Sequence, residues 1–335
     1  MKIKLGDICH KETSGYAQKD LETLNGEYPI YGASGYIKCI DSYHQENPYV
    51  AVVKDGAGVG RTMYLPGKSS VIGTLQYLIS EEKIDPHYLY YLVKAKHLEK
   101  YYMGAAIPHI YYKDYKNEKI PDYDLKKQLK IVSRLSRIEK IIDYKKLQIE
   151  QLDNLIKARF VEMFGDPKYN ADNCVKIKEI GMLTSGGTPS RTNPEYFEGD
   201  IRWYSAGELN SLYLQDSIEH ISIKAIQQSS AKIFEAGTLL IGMYDTAAFK
   251  MGILTEKSSS NQACANLKPN EGYNVIWLYY LFELKKSVFL QERQGVRQKN
   301  LSLSKIREFR VPVASFKLQN QFADFVIKIN KSKFG

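Results

Sequence analysis

The chain is poor in the residues that staple or metallate a fold. Its 335 residues include four cysteines, Cys9, Cys39, Cys174 and Cys264, scattered without a Cys-x-x-Cys pair. That spacing argues against a disulfide framework or a zinc ribbon and reads as free thiols in a reducing cytoplasm. The six histidines are equally dispersed, so no metal-ligand cluster is visible. No apolar run approaches a membrane span, and Met1-Lys-Ile-Lys-Leu5 has no signal-peptide core. A phosphate loop of the Gly-x-x-x-x-Gly-Lys-Ser/Thr type is missing, which argues against ATP hydrolysis by this chain. Asp55-Gly-Ala-Gly-Val-Gly60 looks like a dinucleotide loop, but its third glycine comes one residue early. It also runs on into the strand-like Arg61-Thr-Met-Tyr-Leu65, so a tight hairpin is expected. Asn47-Pro-Tyr49 lacks the second proline of the adenine-methyltransferase motif, and no cofactor-binding glycine loop precedes it. A spaced carboxylate–lysine set for a nuclease is also missing.

What is present is positive charge and tyrosine. Lys and Arg number 47 against 38 Asp and Glu, a formal net charge of +9. Such an excess suits a polyanion partner, because neutralising phosphates releases counterions. Tyrosine, at 26 against 12 Phe and 2 Trp, skews the aromatics toward rings with a polar handle. These serve half-wet interfaces and phosphate contacts. Hydrophobic content of 44% and charged content of 25% are ordinary for a soluble globular protein, and the length favours two domains.

The sequence also states one pattern twice, about 190 residues apart. Tyr88-Leu-Tyr-Tyr-Leu92, Ile107-Pro-His-Ile110, Lys119-Ile-Pro121, Leu125 and Gln128 form the first copy. Trp277-Leu-Tyr-Tyr-Leu281, Gln298-Lys-Asn-Leu301, Arg310-Val-Pro312, Phe316 and Gln319 form the second. The openings echo too, Leu5-Gly-Asp-Ile8 against Ile177-Lys-Glu-Ile180. A period this long means a duplicated domain. Each copy begins with short β-branched and aromatic runs punctuated by Gly and Pro, and each then turns helical, at about 86–103 and 275–290.

Between the copies the texture changes. Ile131, Leu135, Ile138, Ile142, Ile149, Leu152, Ile156 and Met163 recur at helical spacing, with Lys145 in one apolar slot and no Gly or Pro between Pro121 and Gly165. This predicts a helix from Leu125 to Met163, about 58 Å long at 1.5 Å per residue, with a coiled-coil seam. Phe164-Gly-Asp-Pro167 stops it. A second helix from Phe316, with Leu318, Phe322, Phe325, Val326 and Ile329 apolar, is its natural partner. The partner is the shorter of the two, so part of the seam is left for another molecule to cover. The expected fold is α+β: two related domains of mixed sheet and helices at 1–122 and 166–314, a central helix at 123–165, and a shorter distal helix at 315–335 lying antiparallel to it.

Two loops carry the residue types that grip phosphates or read base edges. Gly186-Gly-Thr-Pro-Ser-Arg191 offers backbone amides, hydroxyls and a guanidinium. Arg293-Gln-Gly-Val-Arg-Gln-Lys-Asn300 concentrates Arg, Gln, Lys and Asn. Its counterpart is Gly104-Ala-Ala-Ile-Pro-His-Ile-Tyr-Tyr-Lys113. Loops that differ on a repeated frame suggest two modules reading different sequences.

With these residues in place, the chain resembles the specificity subunits of type I restriction-modification systems. Gly186-Gly-Thr-Pro-Ser190 with Pro194-Glu-Tyr-Phe-Glu-Gly-Asp-Ile-Arg-Trp203 is similar to the opening of one of that family's target recognition domains. The segment from Gln298-Lys-Asn-Leu-Ser302 to Pro312 and the Phe164-Gly-Asp-Pro167 stop also match. The resemblance implies a non-catalytic subunit that reads a split double-stranded DNA target, one domain per half-site, with the helix pair as a ruler. It implies methyltransferase subunits and restriction subunits as partners. It also assigns S-adenosylmethionine, ATP and Mg to those partners, with no cofactor in this chain, no membrane and a cytoplasmic location. The family's distal helix is usually longer than residues 316–335 allow. Two alternatives stay open: the specificity subunit of a related type IIB-like restriction–methylation system, and a coiled-coil scaffold that does not touch DNA. On residue type and loop placement, the expected DNA contacts in the first domain are Lys54, Arg61, Gln76, Tyr111, Tyr112 and Lys113. In the second they are Thr188, Ser190, Arg191, Lys250, Asn261, Gln262, Arg297, Gln298 and Lys299. No catalytic or metal-binding residue is expected.

Overall fold

A computed structural model describes residues 2–104, 108–169, 173–292 and 300–334. The chain divides into two compact units, Met1–Tyr144 and Lys145–Gly335, with the boundary inside one helix.

In the first unit the elements are β1 (Lys2–Lys4), β2 (Cys9–Thr13), β3 (Tyr28–Gly32), β4 (Gly35–Ile40), β5 (Tyr49–Val53), β6 (Thr62–Leu65), β7 (Ser70–Val71) and β8 (Leu75–Ser80). Helices α1 (Pro86–Lys94) and α2 (Tyr112–Tyr115), strand β9 (Lys119–Pro121) and helix α3 (Leu125–Phe164) follow. The second unit holds β10 (Cys174–Lys176), α4 (Ile177–Ile180), β11 (Gly181–Ser185), β12 (Ile201–Tyr204), β13 (Tyr213–Leu214), β14 (Glu219–Ile221), α5 (Ile223–Gln228), β15 (Leu239–Gly242) and β16 (Met251–Leu254). It ends with β17 (Ser259–Ser260), β18 (Cys264–Pro269), α6 (Val275–Gln291), α7 (Leu303–Glu308), β19 (Arg310–Pro312) and α8 (Phe316–Phe334).

The duplication read from sequence is a duplication of topology. The first unit's larger sheet has the order β2-β8-β5-β6, and the second unit's has β11-β18-β15-β16 with β13 added at the edge. The smaller sheets are β4-β3-β7 and β14-β12-β17, each with one antiparallel and one parallel pairing at its central strand. A two-stranded clasp closes each unit, β1 with β9 and β10 with β19. Strand β5, Tyr49-Val-Ala-Val-Val53, is buried along its whole length because it is central in its sheet. Its β-branched side chains suit that place.

Each unit's first long helix starts at a matched cap. Asp85 accepts from the backbone N–H of Tyr88 at 2.9 Å, with Pro86 in the first turn, and Asn274 accepts from that of Ile276 at 2.9 Å. Helix α1 ends at Lys94, short of the expected 103. Ala95 caps it, and His97 turns into the left-handed region at φ 51° before a short turn at Leu98–Tyr101. Helix α3 runs unbroken over 40 residues, one residue past the predicted stop, to Gly165 in the left-handed conformation at φ 76°.

Gln128 and Gln319, which the repeat aligns, do identical work. Both are buried. Gln128 accepts from the N–H of Asp85 at 3.0 Å and donates to the carbonyls of Tyr123 and Lys83. Gln319 accepts from the N–H of Asn274 at 2.9 Å and donates to the carbonyls of Ala314 and Gly272. Each therefore ties the start of one helix to the cap of another.

The first half of α3 packs Ile131 and Val132 on the first unit's core, and its last turns bury Ile156 and Phe160 in the second. Helix α8 lies antiparallel to those last turns, since Phe322 sits 5.2 Å from Phe160 while Lys333 contacts Asp153. The middle of the seam is uncovered: Ile138, Ile142 and Ile149 are exposed. Among the described residues, no helix is long and apolar enough to cross a membrane.

Candidate nucleic-acid interface

In each unit, three connections converge at one end of the larger sheet. The first is the hairpin between β5 and β6, closed by bonds from Val53 N–H to the Arg61 carbonyl and from Gly60 N–H to the Val53 carbonyl. The second unit repeats this with Gly242 and Lys250, and with Phe249 and Gly242. Gly60 is at φ 85°, and a Cβ there would meet the Glu99 nitrogen at 2.4 Å, so this turn needs glycine. In the second unit Phe249 takes the same place at φ 55°. The next connection is the one entering β8, where Lys54 N–H donates to the Thr74 carbonyl, as Met243 does to Ala263. The last precedes the clasp, where Ile110 N–H donates to the Lys54 carbonyl at 3.0 Å, as Leu301 does to Met243 at 2.8 Å.

This register brings several of the expected contacts together. Arg61 and Lys250, expected contacts of the first and second halves, occupy the same repeat position at the foot of the hairpin. Neither has a carboxylate within 4 Å among the described residues. The Arg61 guanidinium donates to the Ala33 carbonyl at 2.8 Å, reaching the β3–β4 turn. Lys54 is half-buried, with its ammonium 3.9 Å from Asp55. Tyr111 is exposed with its ring 4.1 Å from that of His109, and the exposed Lys113 lies 5.1 Å over the Tyr111 ring. His109 in turn contacts the Asp55 carboxylate. In the second unit Thr188 hydrogen-bonds the exposed Gln262, and Ser190 is exposed beside Thr192. Gln262 shares a cleft of about 440 Å³ with Tyr244, Leu301, Ser302 and Lys305.

Other expected contacts have structural work. Gln76 is 3% exposed and hydrogen-bonds the Tyr115 hydroxyl inside the first core, so it cannot reach a base edge. Tyr112 is half-buried, its hydroxyl donating to the Cys9 carbonyl at 2.6 Å. Burial pushes that hydroxyl well above the usual phenol range. Asn261 uses its side-chain oxygen to accept from the Ala263 N–H at 3.0 Å and shapes its own turn. Arg191 is exposed but committed: both terminal nitrogens bind Glu219, and its guanidinium stacks 4.2 Å from the Phe197 ring. Its charge is therefore neutralised by a neighbour, a correction to its reading as a free phosphate grip. Arg297, Gln298 and Lys299 lie outside the described residues.

Sequence reading overlooked His109, Asp55, Tyr244 and Lys305. The repeat held the signal, because aligning Lys54-Asp55 with Met243-Tyr244 puts Tyr244 on the same hairpin. Among the described residues there is no group of His, Cys, Asp or Glu able to hold a metal ion.

The family model for the type I restriction modification DNA specificity domain matches residues 1–154 and again 173–333. The chain belongs to this family. Its two specificity domains thus coincide with the two topological repeats. Among curated relatives, the type I restriction enzyme MjaIX specificity subunit of Methanocaldococcus jannaschii is 31% identical over 153 residues, covering 44% of this chain and 35% of that protein. The EcoR124I/EcoR124II specificity subunit of Escherichia coli is 24% identical over 160 residues, covering 46% and 40%. The chain therefore matches well under two thirds of the length of either relative. Among solved structures, the type I restriction-modification S subunit from M. genitalium superposes with a TM-score of 0.63 at 17% identity, over 99% of this chain and 90% of that one. A chain from a structure of type I R-M complex assembly gives 0.54 at 14% identity, over 99% and 90%. At those identities the likeness is one of fold, and it spans both specificity domains.

Proposed function

We propose that the chain is the DNA sequence-recognition subunit of a type I restriction-modification complex, each specificity domain reading one half of a bipartite target. The observation that carries this reading is that two units of one topology present the same three-loop cluster, and that a single uninterrupted 40-residue helix runs from one unit into the other. Such a helix is about 60 Å long at 1.5 Å per residue. The first domain's contacts are Lys54, Arg61, Tyr111 and Lys113, with His109 beside them. The second domain's are Thr188, Ser190, Lys250 and Gln262, with Tyr244 and Lys305. Arg297, Gln298 and Lys299 complete that set on residue type alone. The cations at Arg61, Lys113 and Lys250, which have no carboxylate within 4 Å among the described residues, would hold backbone phosphates, and Gln262 would read a base edge.

In this reading the subunit does no chemistry. Methylation and restriction fall to partner subunits, which carry S-adenosylmethionine, ATP and Mg, and the complex works in the cytoplasm. The uncovered stripe at Ile138, Ile142 and Ile149 is the surface offered to those partners. The test is to map methylated adenines genome-wide in a host with and without this chain. The expected outcome is one bipartite motif that disappears with it. An unchanged methylation map, together with no affinity for duplex DNA at 50 mM salt, would defeat the reading.

A further inference from the structure

The repeat sets apart one lysine that, among the described residues, lacks the carboxylate its counterpart has. Counting from the matched caps Asp85 and Asn274, Lys96 of the first unit and Lys285 of the second hold the same repeat position. Lys96 has a carboxylate: its ammonium lies 3.1 Å from Glu118, next to the clasp strand β9. In the second unit the residue aligned with Glu118 is Phe309. The alignment is fixed by backbone bonds, since Leu5 N–H donates to the Glu118 carbonyl and Ile177 N–H to that of Phe309.

Lys285 is nevertheless the more buried of the pair, at 8% exposure. Its ammonium donates to the Pro167 carbonyl at 3.0 Å and lies 5.9 Å from the Phe289 ring. Among the described residues no carboxylate is within 4 Å of it. With one acceptor among the described residues for its three donors, the ammonium keeps hydrogen-bonding capacity and charge for a ligand. Burial accordingly holds the ammonium below its ordinary value, opposed by the weaker pull of Cys174 and Asp166.

Beside Lys285 is a cavity of about 330 Å³, lined also by Phe289, Glu292, Lys305, Glu308 and Arg310. Its two carboxylates are already matched, Glu292 by Lys305 at 3.4 Å and Glu308 by Lys176 and Lys178. Among the described residues Arg310 donates to the Cys174 carbonyl alone, at 3.1 Å. Among the described residues, the positive charge left over belongs to Lys285 and Arg310.

We propose that this cavity binds a phosphate-type oxyanion, with Lys285 at its floor and Arg310 at its rim, in the place that Glu118 fills internally in the first unit. The site stands on local geometry and does not depend on the DNA-recognition reading. The oxyanion could be a free ion or a phosphate of bound DNA, and the experiment separates the two.

Inorganic phosphate is titrated into the full chain by calorimetry, against chloride at matched ionic strength, for wild type, K285M, K285R and R310M. Wild type should bind one phosphate saturably, and its melting midpoint should rise by about 3 °C at tenfold the Kd. K285M should lose at least tenfold in affinity, K285R should retain most of it, and R310M, at the exposed rim, should lose severalfold with the fold intact by circular dichroism. If K285M also lowers the salt slope of duplex DNA binding by about one, the oxyanion is a DNA phosphate. If DNA binding is unchanged while phosphate binding is lost, it is a free ion. No saturable phosphate binding by wild type, or equal binding by K285M and R310M, overturns the proposal.

Discussion

Gln128 and Gln319 show how much a single polar side chain can decide when it is buried. Each satisfies a helix cap and two loop carbonyls at once, so Gln128→Ala or Gln319→Ala should destabilise its own unit by about 2–4 kcal/mol, because the orphaned groups stay dry. Denaturant unfolding followed separately in the two units, by hydrogen exchange, checks that the loss is confined to the mutated one. Glu118 gives a pH signature of known sign. Hydrogen bonds from Lys100 and Tyr101, with Lys96 nearby, hold its carboxyl at about 2. A depressed carboxylate contributes stability that is complete above its unfolded value of roughly 4.3 and is lost as pH falls toward 2. Acid unfolding of the first unit should therefore steepen between those limits, and Glu118→Gln should flatten that limb in a pH titration of the melting midpoint. The residue scale is also where sequence reading erred. Gln76 and Arg191 have the right chemistry for DNA, but Gln76 points into the core from β8, and Arg191 meets a carboxylate 28 residues away. Neither fact is visible before strands are paired.

Among the elements, α3 was the most legible, because a 3.6-residue period without Gly or Pro admits little else. Its start and stop were read to within a residue. What the period could not say is which part of the stripe its own chain covers. The ends are packed by the two cores while Ile138 and Ile142 remain 52% and 46% exposed. The double substitution Ile138→Lys and Ile142→Lys should leave the melting midpoint nearly unchanged, within about 0.5 kcal/mol per site. If the proposed assembly holds, it should also abolish co-purification with a methylation subunit. A melting point that falls sharply would show that the stripe is already buried within the chain. Helix α1 was read too long, since nothing in its composition announces the left-handed turn at His97. If α3 sets the spacing of the half-sites, four extra residues after Ile142 lengthen it by about 6 Å. The preferred spacer should then grow by about two base pairs at 3.4 Å each, measured from the methylated motif.

At the scale of the molecule the governing fact is duplication. Two units with the same strand order and separate cores should act independently, so their energetics should add. Arg61→Ala and Lys250→Ala occupy one repeat position in different units. Each holds a backbone phosphate in the proposed reading, so each should weaken binding about uniformly across sequences and lower the salt slope by about one, and the double variant should show the sum. A loss that relaxes specificity in one half-site only would assign the residue to a base edge instead. Competition binding with targets altered in one half at a time distinguishes these outcomes.

The sequence by itself determined the duplication, the helical rod, the β-rich texture of each unit and the family, because all of these are periodic or local and are written in residue order. Tertiary structure alone decided which loops meet, since hydrogen bonds across strands, such as Ile110 to Lys54 and Leu301 to Met243, join segments more than fifty residues apart. It also decided which polar side chains are spent. Gln76 lost access to solvent, Arg191 lost its free charge, and Lys285, among the described residues, was left without the carboxylate that Glu118 gives Lys96. Burial and pairing are properties of neighbours, and neighbours in space are set by packing.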